Sequence, residues 1–403
     1  MFSRIEDAIA WVTARRNRGS GFPHFQEVMA AAGNPQDAFR TIHVAGTNGK
    51  GSTCNDLYHL LRACGYSVGL YTSPHLIDHR DRIRLNGEWI GAEEFLAYLN
   101  RDLEVIERED LSMFEIDTMI ASQWYRDQKA DWAVIETGLG GRLDSTNCLH
   151  HPQLEIITTI GFDHMDRLGN TLGAIAFEKA GIIKPDSRVL IGRLDPEAEQ
   201  VILRRAEDMH AECRISSWED LGEQAIGIGG ERFELGEVPG YQKGNAALAL
   251  QAAAWLGLDL HDPRIHEAIR ASRWPGRFEQ VSAHPRIILD GAHNPEGMAA
   301  LTAAMAALPH PCIAVFSALK DKQGPKMRQM LEQSADAVLV TQFESARADT
   351  AEHLAGGAEP VILDWHEACR QAISMAGPDG SVVITGSLYF ISLVRPGLIR
   401  AAQ

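Results

Sequence analysis

The stretch "HVAGTNGKGST", residues 43–53, contains residue types that bind phosphate. Glycines let backbone N–H groups approach phosphate oxygens, and the N-terminus of a following helix attracts anions. The usual phosphate loop reads G-x-x-x-x-G-K-[ST]; here Val44 occupies the first glycine position, and Gly51 separates Lys50 from Ser52. An ordinary glycine turn is the alternative. Because an apolar run precedes the lysine and hydroxyls follow it, we favour a compact phosphate loop in which Lys50 bridges phosphates and a hydroxyl binds Mg²⁺.

A second group of candidate residues follows an apolar run in "VIETGLGGRLDSTN". Glu136 ends this run, and Arg142 and Asp144 follow in a glycine-rich segment. Ligands bind at the carboxyl ends of parallel strands, where a carboxylate is suited to hold Mg²⁺. A solvated loop with a turn-forming aspartate explains the same residues, so this stretch alone leaves both interpretations open.

Two further stretches contain candidate metal ligands or cations. In "TIGFDHMDRLG", Asp163, His164 and Asp166 follow another apolar run, and one imidazole can join carboxylates around a cation. Considered alone, His164 is better explained as a structural histidine. Lys179, in "FEKAGIIKP", lies near the end of a predicted helix, where a lysine normally complements the helix dipole at the surface. Neither stretch identifies a function by itself.

The stretches "WPGRFE" and "LDGAHNPEG" place polar residues near a predicted domain boundary. Arg277 could clamp a phosphate or form a linker salt bridge, and both interpretations stay open. Asp290 follows an apolar run that predicts a strand, so ligand binding is expected at its position. His293 and Asn294 offer further polar contacts beside it.

The elements that must position these residues alternate between apolar runs and helical patterns. The run "FRTIHVAG" predicts a strand before the phosphate loop, and "STCNDLYHLLRACG" predicts a helix that stops at Gly65. The runs "YSVGLYTS", "DWAVIETG" and "EIITTIGFD" predict further buried parallel strands, of which the first can pair with the strand before the loop. The stretch "IGIGGERFEL" predicts a hairpin, and five later apolar runs predict a second, Rossmann-like sheet.

The length of 403 residues favours two domains. We predict an α/β protein in which residues 1–280 form a P-loop-type domain, with a mostly parallel sheet and helices on both faces. Residues 281–403 are predicted to form a smaller Rossmann-like domain.

Composition excludes several classes of protein. With 45% hydrophobic and 23% charged residues, the chain is globular. The net charge of -16 argues against nucleic-acid binding, so an anionic substrate must meet a local group of cations. No apolar run approaches the length of a membrane span, and no cleavable signal is evident, so we expect a cytoplasmic protein without membrane partners. Six scattered cysteines are expected to be free thiols.

Many stretches together resemble one family, the folylpolyglutamate synthases and bifunctional dihydrofolate synthases of the Mur ligase superfamily. In chain order they are "HVAGTNGKGS", "YTSPHLIDHRDRIRLNG", "FEIDTMIA", "VIETGLGGRLDSTN", "DHMDRLG", "EKAGIIKP", "GRFE", "DGAHNPEG", "SALKDKQ" and "TGSLYF". The resemblance implies an ATP-dependent ligase that joins L-glutamate to dihydropteroate and to reduced folates through an acyl phosphate. It also implies ATP and two Mg²⁺ ions as cofactors, and we expect a monomer.

The resemblance assigns roles by position. Catalytic roles fall on Lys50, on His164 and on Lys179, which matches a lysine that is carbamylated in the family. The first Mg²⁺ is assigned to Ser52, with Glu136 as a further metal ligand and His164 at the second Mg²⁺. Residues matching ATP contacts are Gly46, Thr47, Asn48, Gly49, Lys50, Gly51, Ser52, Thr53, Asn245, Arg277, Asp290 and His293.

On the pterin side, Phe114 and Asp144 match positions lining the pteroate pocket, and we add Arg142 as a substrate-binding residue. Two departures affect substrate contacts: Asp81 stands where the family usually has Glu, and Gln323 replaces an acidic residue.

Three alternatives remain open. A folylpolyglutamate synthase without the dihydropteroate reaction is the nearest, and the "GGRLDSTN" stretch favours the bifunctional enzyme over it. A peptidoglycan-precursor ligase is disfavoured by "GRLDSTN" and "TSPH". A binding protein that uses ATP only to close its domains would bind ATP without acceptor-dependent ADP formation.

Overall fold

The computed structural model describes residues 1–16, 18–19, 21–222, 224–357 and 361–402. The chain divides into two compact units. The first unit consists of Met1–Gly161, Met165–Glu237 and Gln242–Ser272. The second consists of Phe162–His164, Val238–Tyr241 and Arg273–Gln403.

The main sheet of the first unit contains the predicted phosphate loop. Its strands are β1 (Arg40–Ala45), β2 (Val68–Tyr71), β3 (Ile83–Leu85), β4 (Glu88–Trp89), β5 (Trp132–Glu136), β6 (Leu154–Ile157), β7 (Arg188–Ile191) and β8 (Glu212–Ile215). They lie in the order β4-β3-β2-β5-β1-β6-β7-β8. The strands from β2 to β8 in this order are parallel, and β3 and β4 add antiparallel pairs at one end. Residues of β2, β5 and β6 are buried throughout, as expected for parallel strands covered by helices.

Helices precede, connect and follow these strands. They are α1 (Ile5–Ala14), α2 (Phe22–Ala31), α3 (Lys50–Ala63), α4 (Ala92–Arg108), α5 (Met113–Asp127), α6 (Met165–Leu168), α7 (Leu172–Ala180), α8 (Pro196–Asp208), α9 (Gly240–Trp255) and α10 (Pro263–Ala271). Short 3-10 helices cover Pro35–Asp37, His79–Arg82 and Ser145–Cys148. The start of α5 is fixed by a capping box, because the Ser112 hydroxyl accepts from the Glu115 N–H and the Glu115 carboxylate accepts from the Ser112 N–H.

The predicted hairpin is confirmed within a small antiparallel sheet. Its strands are β9 (Glu219–Asp220), β10 (Ala225–Ile228) and β11 (Glu231–Glu234), with β10 between the other two. The turn between β10 and β11 uses Gly229 and Gly230, both with positive φ.

The second unit contains its own sheet. Its strands are β12 (Glu279–Ala283), β13 (Arg286–Asp290), β14 (Cys312–Phe316), β15 (Ala337–Gln342), β16 (Val361–Asp364) and β17 (Ser381–Thr385). Its helices are α11 (Pro295–Met305), α12 (Gly324–Glu332), α13 (Ala351–Ala355), α14 (Trp365–Ala376) and α15 (Leu388–Ala402). The order is β12-β13-β17-β14-β15-β16, with β12 antiparallel to β13 and the remaining pairs parallel.

The predicted fold class is confirmed, with one error of strand order. The run containing β2 pairs with β5 and not directly with β1, which lies between β5 and β6. An apolar run shows that a strand is buried but does not identify its neighbour. Strand β12 was not predicted, because its residues are half-buried or exposed and a bulge interrupts it between Gln280 and Ser282.

Within the described part of the chain, no helix is both long and apolar enough to cross a membrane. The six cysteines are free thiols, and four of them are buried.

Candidate active site

The predicted phosphate loop connects β1 to α3 and depends on two glycines with positive φ. Gly49, with φ of 88°, directly precedes α3, and Gly46 has a φ of 152°. A Cβ atom on Gly46 would lie 1.9 Å from the Thr158 hydroxyl oxygen, and one on Gly49 would lie 2.2 Å from Asn245 Oδ1. Both glycines are therefore required by close packing as well as by backbone conformation. Asn245, predicted as a nucleotide-binding residue, lies against this loop.

Hydroxyl residues after β6 hold the loop. The Thr47 N–H donates to the Thr159 carbonyl at 2.8 Å, and the Asn48 N–H donates to the Thr159 hydroxyl at 2.9 Å. The Thr158 hydroxyl donates to the Asn48 carbonyl at 2.7 Å. These bonds fix the backbone between Gly46 and Gly49.

Two lysine side chains meet at one carbonyl oxygen of the loop. Lys50 Nζ donates to the Gly46 oxygen at 3.1 Å, and Lys179 Nζ donates to the same oxygen at 2.8 Å. Lys179 is 4% exposed, so its interpretation from the local sequence as a surface residue is wrong. In a chain with a net charge of -16, Lys50 supplies a local positive charge at this loop.

Oxygen ligands suited to a divalent cation lie near this group. Glu136, at the end of β5, is buried, and its Oε1 lies 4.0 Å from Lys50 Nζ while its Oε2 accepts from the Ser73 N–H at 3.0 Å. Ser52 is buried in the first turn of α3, where Gly51 and Thr53 flank it. Among the described residues, no group of three or more His, Cys, Asp or Glu side chains could hold a metal ion. A hydroxyl and one carboxylate fit a Mg²⁺ ion that takes its other ligands from phosphates and water.

Phe114 packs against the loop after β5. Phe114 is in the first turn of α5, and its ring centroid lies 5.6 Å from that of Tyr71. A Cβ atom on Gly138 would lie 2.6 Å from the tip of the Phe114 ring. The aromatic ring thus packs against the loop backbone, and only glycine at position 138 permits this contact.

Asp144 organises that loop. Its Oδ2 accepts from the Leu139 N–H at 2.7 Å, and its Oδ1 accepts from the Thr146 N–H at 3.0 Å and the Thr146 hydroxyl at 2.5 Å. Burial raises the pKa of the Asp144 carboxyl, and these hydrogen bonds oppose the rise. The carboxylate is 6% exposed, so loop structure takes up most of its hydrogen-bonding capacity.

Arg142 has a different environment. Its Nη2 lies 2.8 Å from Glu178 Oε1, and its guanidinium carbon lies 5.6 Å from the centroid of the Phe177 ring. The Arg142 side chain is 44% exposed and Phe177 is 52% exposed. The structure therefore pairs Arg142 with α7 and leaves it accessible.

A second polar cluster lies within the second unit and contains His164 and His293. Asp163 accepts from the His164 N–H at 2.9 Å and from Asn294 Nδ2 at 3.2 Å, with His293 Nε2 at 3.5 Å and Lys322 Nζ also in contact. Burial raises the pKa of the Asp163 carboxyl, but His293, Lys322 and His164 outweigh it, and the net pKa is well below the usual range. His164 belongs to this unit, whereas Ser52 and Glu136 belong to the first.

Asp290 and Arg277 are also neighbours in the second unit. Asp290 accepts from the Tyr241 hydroxyl at 2.6 Å, from the Phe278 N–H at 2.8 Å and from the Ala292 N–H at 2.9 Å. Burial raises the pKa of this carboxyl, and the charge of Arg277 opposes the rise. Arg277 Nη1 lies 2.9 Å from the position that a Cβ on Gly291 would occupy. Internal hydrogen bonds thus occupy both oxygens of Asp290.

Some residues around the site were not predicted from the sequence. His43 and Thr146 hydrogen-bond to each other in the buried interior, and Thr158 and Thr159 hold the phosphate loop. Hydroxyls directly after a predicted strand were the available hint for the threonines. The departure at Asp81 has a structural role, because its carboxylate accepts from the N–H groups of residues 76 and 77.

Comparison with known domain families gives the class. The Mur ligase middle domain matches residues 44–220, and the Mur ligase glutamate ligase domain matches residues 276–388. Together with the two sheets and the compact phosphate loop, these matches define a protein built from Mur ligase domains.

Individual relatives narrow the class. The dihydrofolate synthase/folylpolyglutamate synthase of Bacillus subtilis (strain 168) is 38% identical over 99% of this chain and 100% of its own length. E. coli FolC in complex with DHPP and ADP has a TM-score of 0.92 at 29% identity, covering 100% of this chain and 99% of that one. A bifunctional folylpolyglutamate synthase/dihydrofolate synthase with Mn, AMPPNP and L-glutamate bound has a TM-score of 0.89 at 29% identity, covering 98% of each chain. The chain belongs to the dihydrofolate synthase/folylpolyglutamate synthase family.

Proposed function

We propose that the protein is an ATP-dependent amide ligase that joins the amine of L-glutamate to the carboxylate of dihydropteroate, forming dihydrofolate. The same chemistry at the terminal carboxylate of reduced folates forms folylpolyglutamates. The observation that carries this proposal is that one compact unit contains both parts of the proposed site. These are a glycine phosphate loop with two lysines, and the loop after β5 that holds Asp144 and packs against Phe114. Full-length relatives named for both activities support it.

The proposed reaction has two steps. An oxygen of the acceptor carboxylate attacks the γ-phosphorus of ATP, which forms an acyl phosphate and releases ADP. The glutamate amine then attacks the acyl carbon, phosphate leaves, and the nitrogen loses a proton. Lys50 would offset negative charge as carboxylate and triphosphate meet, and well-oriented reactants can lower a barrier by roughly 7–11 kcal/mol.

We include Mg²⁺ in this proposal. Bound Mg²⁺ would neutralise phosphate charge. Ser52 and Glu136 would hold one ion, because hydroxyl and carboxylate oxygens suit a hard cation. His164 is proposed as a ligand of a second ion. Use of a divalent ion is supported by the similar structure that was reported with Mn and AMPPNP bound.

Carbamylation of Lys179 is a further part of the proposal. Lys50 and Lys179 donate to one carbonyl oxygen, so their like charges repel when both are ammonium groups. Lys179 would first lose a proton to become a neutral amine, whose nitrogen bonds to the carbon of CO₂ and loses a second proton, so that a carbamate carboxylate replaces the ammonium cation. The carbamate N–H could still donate to the Gly46 oxygen.

The residues proposed to contact ATP are the phosphate loop, Asn245, Arg277, Asp290 and His293. Phe114, Asp144 and Arg142 would contact the pteroate. We also propose residues 1–280 and 281–403 as the functional domains, a monomeric state and a cytoplasmic location.

The test measures ADP release by purified protein with Mg²⁺-ATP and L-glutamate, adding dihydropteroate in one reaction and tetrahydrofolate in another. Mass analysis of the products accompanies each reaction, and omission of L-glutamate is the control. Products with one added glutamate from both acceptors support the proposal. Activity with tetrahydrofolate alone contradicts the dihydropteroate reaction. ATP binding without acceptor-dependent ADP formation would instead favour a nucleotide-gated binding protein.

A further inference from the structure

A buried chain of hydrogen bonds connects β1 to the loop after β5. His43 Nε2 lies 2.8 Å from the Thr146 hydroxyl oxygen, and that oxygen lies 2.5 Å from Asp144 Oδ1. His43 and Thr146 are each 0% exposed. His43 is in β1, the strand that leads directly into the phosphate loop at Gly46.

The direction of these bonds follows from counting protons. Backbone N–H groups donate to both oxygens of Asp144, which favours its ionised, acceptor-only form. The single hydroxyl proton of Thr146 therefore goes to Asp144, and the Thr146 oxygen must accept from His43 Nε2–H. Burial lowers the pKa of His43 to about 3, so the ring is neutral with its one proton on Nε2. In agreement, His43 Nδ1 has no hydrogen-bond partner among the described residues.

We propose that His43 and Thr146 are positioning residues for Asp144, and that they hold its carboxylate in the orientation that selects a pterin-bearing acceptor. The inference rests on the proposed function, in which Asp144 lines the pteroate pocket. The amino group at the edge of a pterin is a hydrogen-bond donor, and the accepting capacity that the loop leaves on Asp144 points toward such a donor only when the carboxylate has a fixed orientation. Three bonds to Asp144 leave little freedom to rotate, and the Thr146 hydroxyl supplies the shortest of them.

Thr146→Val removes the hydroxyl while keeping the shape of the side chain. We expect the KM for dihydropteroate to rise about tenfold, the size of effect from losing one hydrogen bond to a charged group. The KM values for ATP and L-glutamate should stay unchanged, and Thr146→Ser should behave as the unaltered protein. An unchanged KM for dihydropteroate in Thr146→Val, or a parallel rise in the KM for ATP, would overturn the proposal.

A double-mutant cycle tests whether His43 acts through Thr146. His43→Leu alone should raise the KM for dihydropteroate by less than Thr146→Val does. The double variant His43→Leu/Thr146→Val should match Thr146→Val alone, because the histidine has lost its route to Asp144. If the two substitutions raised the KM for dihydropteroate independently, so that their effects multiplied in the double variant, His43 would not act through Thr146.

A measurement on the unaltered protein covers the case in which these variants fail to fold. NMR of protein with 15N-labelled histidine reports which ring nitrogen of His43 carries the proton, and His43→Gln assigns the signal. The hydrogen-bond chain from His43 through Thr146 to Asp144 requires the neutral Nε2–H form of His43 at pH 7. An Nδ1–H form or an imidazolium would overturn the proposal. If the unaltered protein forms no ADP with dihydropteroate, the proposed function fails. The NMR result still shows separately whether His43 donates to Thr146.

Discussion

Lys179 Nζ lies 2.8 Å from the carbonyl oxygen of Gly46, although 133 positions separate the two residues in the chain. Helix α7, in which Lys179 is the last residue but one, thereby places this buried side chain against the phosphate loop, beside Lys50. A hydrogen bond of this kind limits how far the loop backbone can move. A substitution of either lysine should therefore change the mobility of both the phosphate loop and α7.

We expect Lys50→Ala to reduce kcat by about 10²–10³-fold with both acceptors, the scale of losing one preorganised electrostatic group. ADP release at saturating substrate measures this. Lys326→Ala, an exposed lysine at the start of α12, is the matched control and should leave the rate unchanged. Full ligase activity in Lys50→Ala would defeat the assignment of this loop.

The role of Lys179 can be tested by chemical rescue. If it acts as a carbamate, Lys179→Ala should lose about 10²-fold in kcat, and added acetate should restore part of the rate by supplying a carboxylate. Ethylammonium should not restore it. The opposite pattern, rescue by ethylammonium but not by acetate, would show that the free ammonium is the working form.

Gly49 and Gly65 form a matched pair. Their φ angles are 88° and 90°, but an added Cβ would lie 2.2 Å from Asn245 Oδ1 at Gly49 and would meet no atom within 4 Å at Gly65. Gly65→Ala should lower the free energy of unfolding by about 1–2 kcal/mol through backbone strain alone. Gly49→Ala should lower it further and also weaken ATP binding. Urea unfolding and ATP titration measure both, and equal ATP affinity in the two variants would contradict the packing argument.

Stability should depend on pH through Glu155 in β6. Burial raises the pKa of its carboxyl from 4.5 to about 8, so the folded state keeps a proton that the unfolded chain loses between those values. The free energy of unfolding of the unaltered protein should therefore fall as pH rises through this window, by at most about 1.4 kcal/mol per pH unit from this group.

Glu155→Gln removes this titration, so its stability relative to the unaltered protein should grow as pH rises from 5 to 7.5. Glu207→Gln, at an exposed position in α8, should show no such trend. Urea unfolding at several pH values provides the measurement. A constant difference between Glu155→Gln and the unaltered protein would mean that Glu155 ionises normally in the fold.

The sequence predicted the strand–loop–helix unit well because its signals are local. The apolar run of β1, the glycines before Lys50 and the stop at Gly65 each act within a few residues. Strand order was harder, since β2 and β5 pair through contacts between residues such as Leu70 and Val134 that no local pattern encodes.

For the site, the sequence predicted which residue types are present better than it predicted whether each side chain is buried and what it contacts. Lys179 looked like a surface residue because helix-end lysines usually are, and only the tertiary fold buries it against Gly46. His43 gave no signal, since a single histidine in an apolar strand has no spacing to interpret. Its neighbours, Thr146 and Asp144, come from a different part of the chain.

The second unit draws Phe162–His164 and Val238–Tyr241 from earlier in the chain than its main segment. A fragment starting at Arg273 would leave behind Asp163, which contacts Lys322, and Tyr241, which donates to Asp290. Neither unit can therefore be separated from the other by dividing the chain at a single position. Gene fusions, split versions of the protein and domain exchanges with relatives would have to include Phe162–His164 and Val238–Tyr241, because Lys322 and Asp290 would otherwise lose these partners.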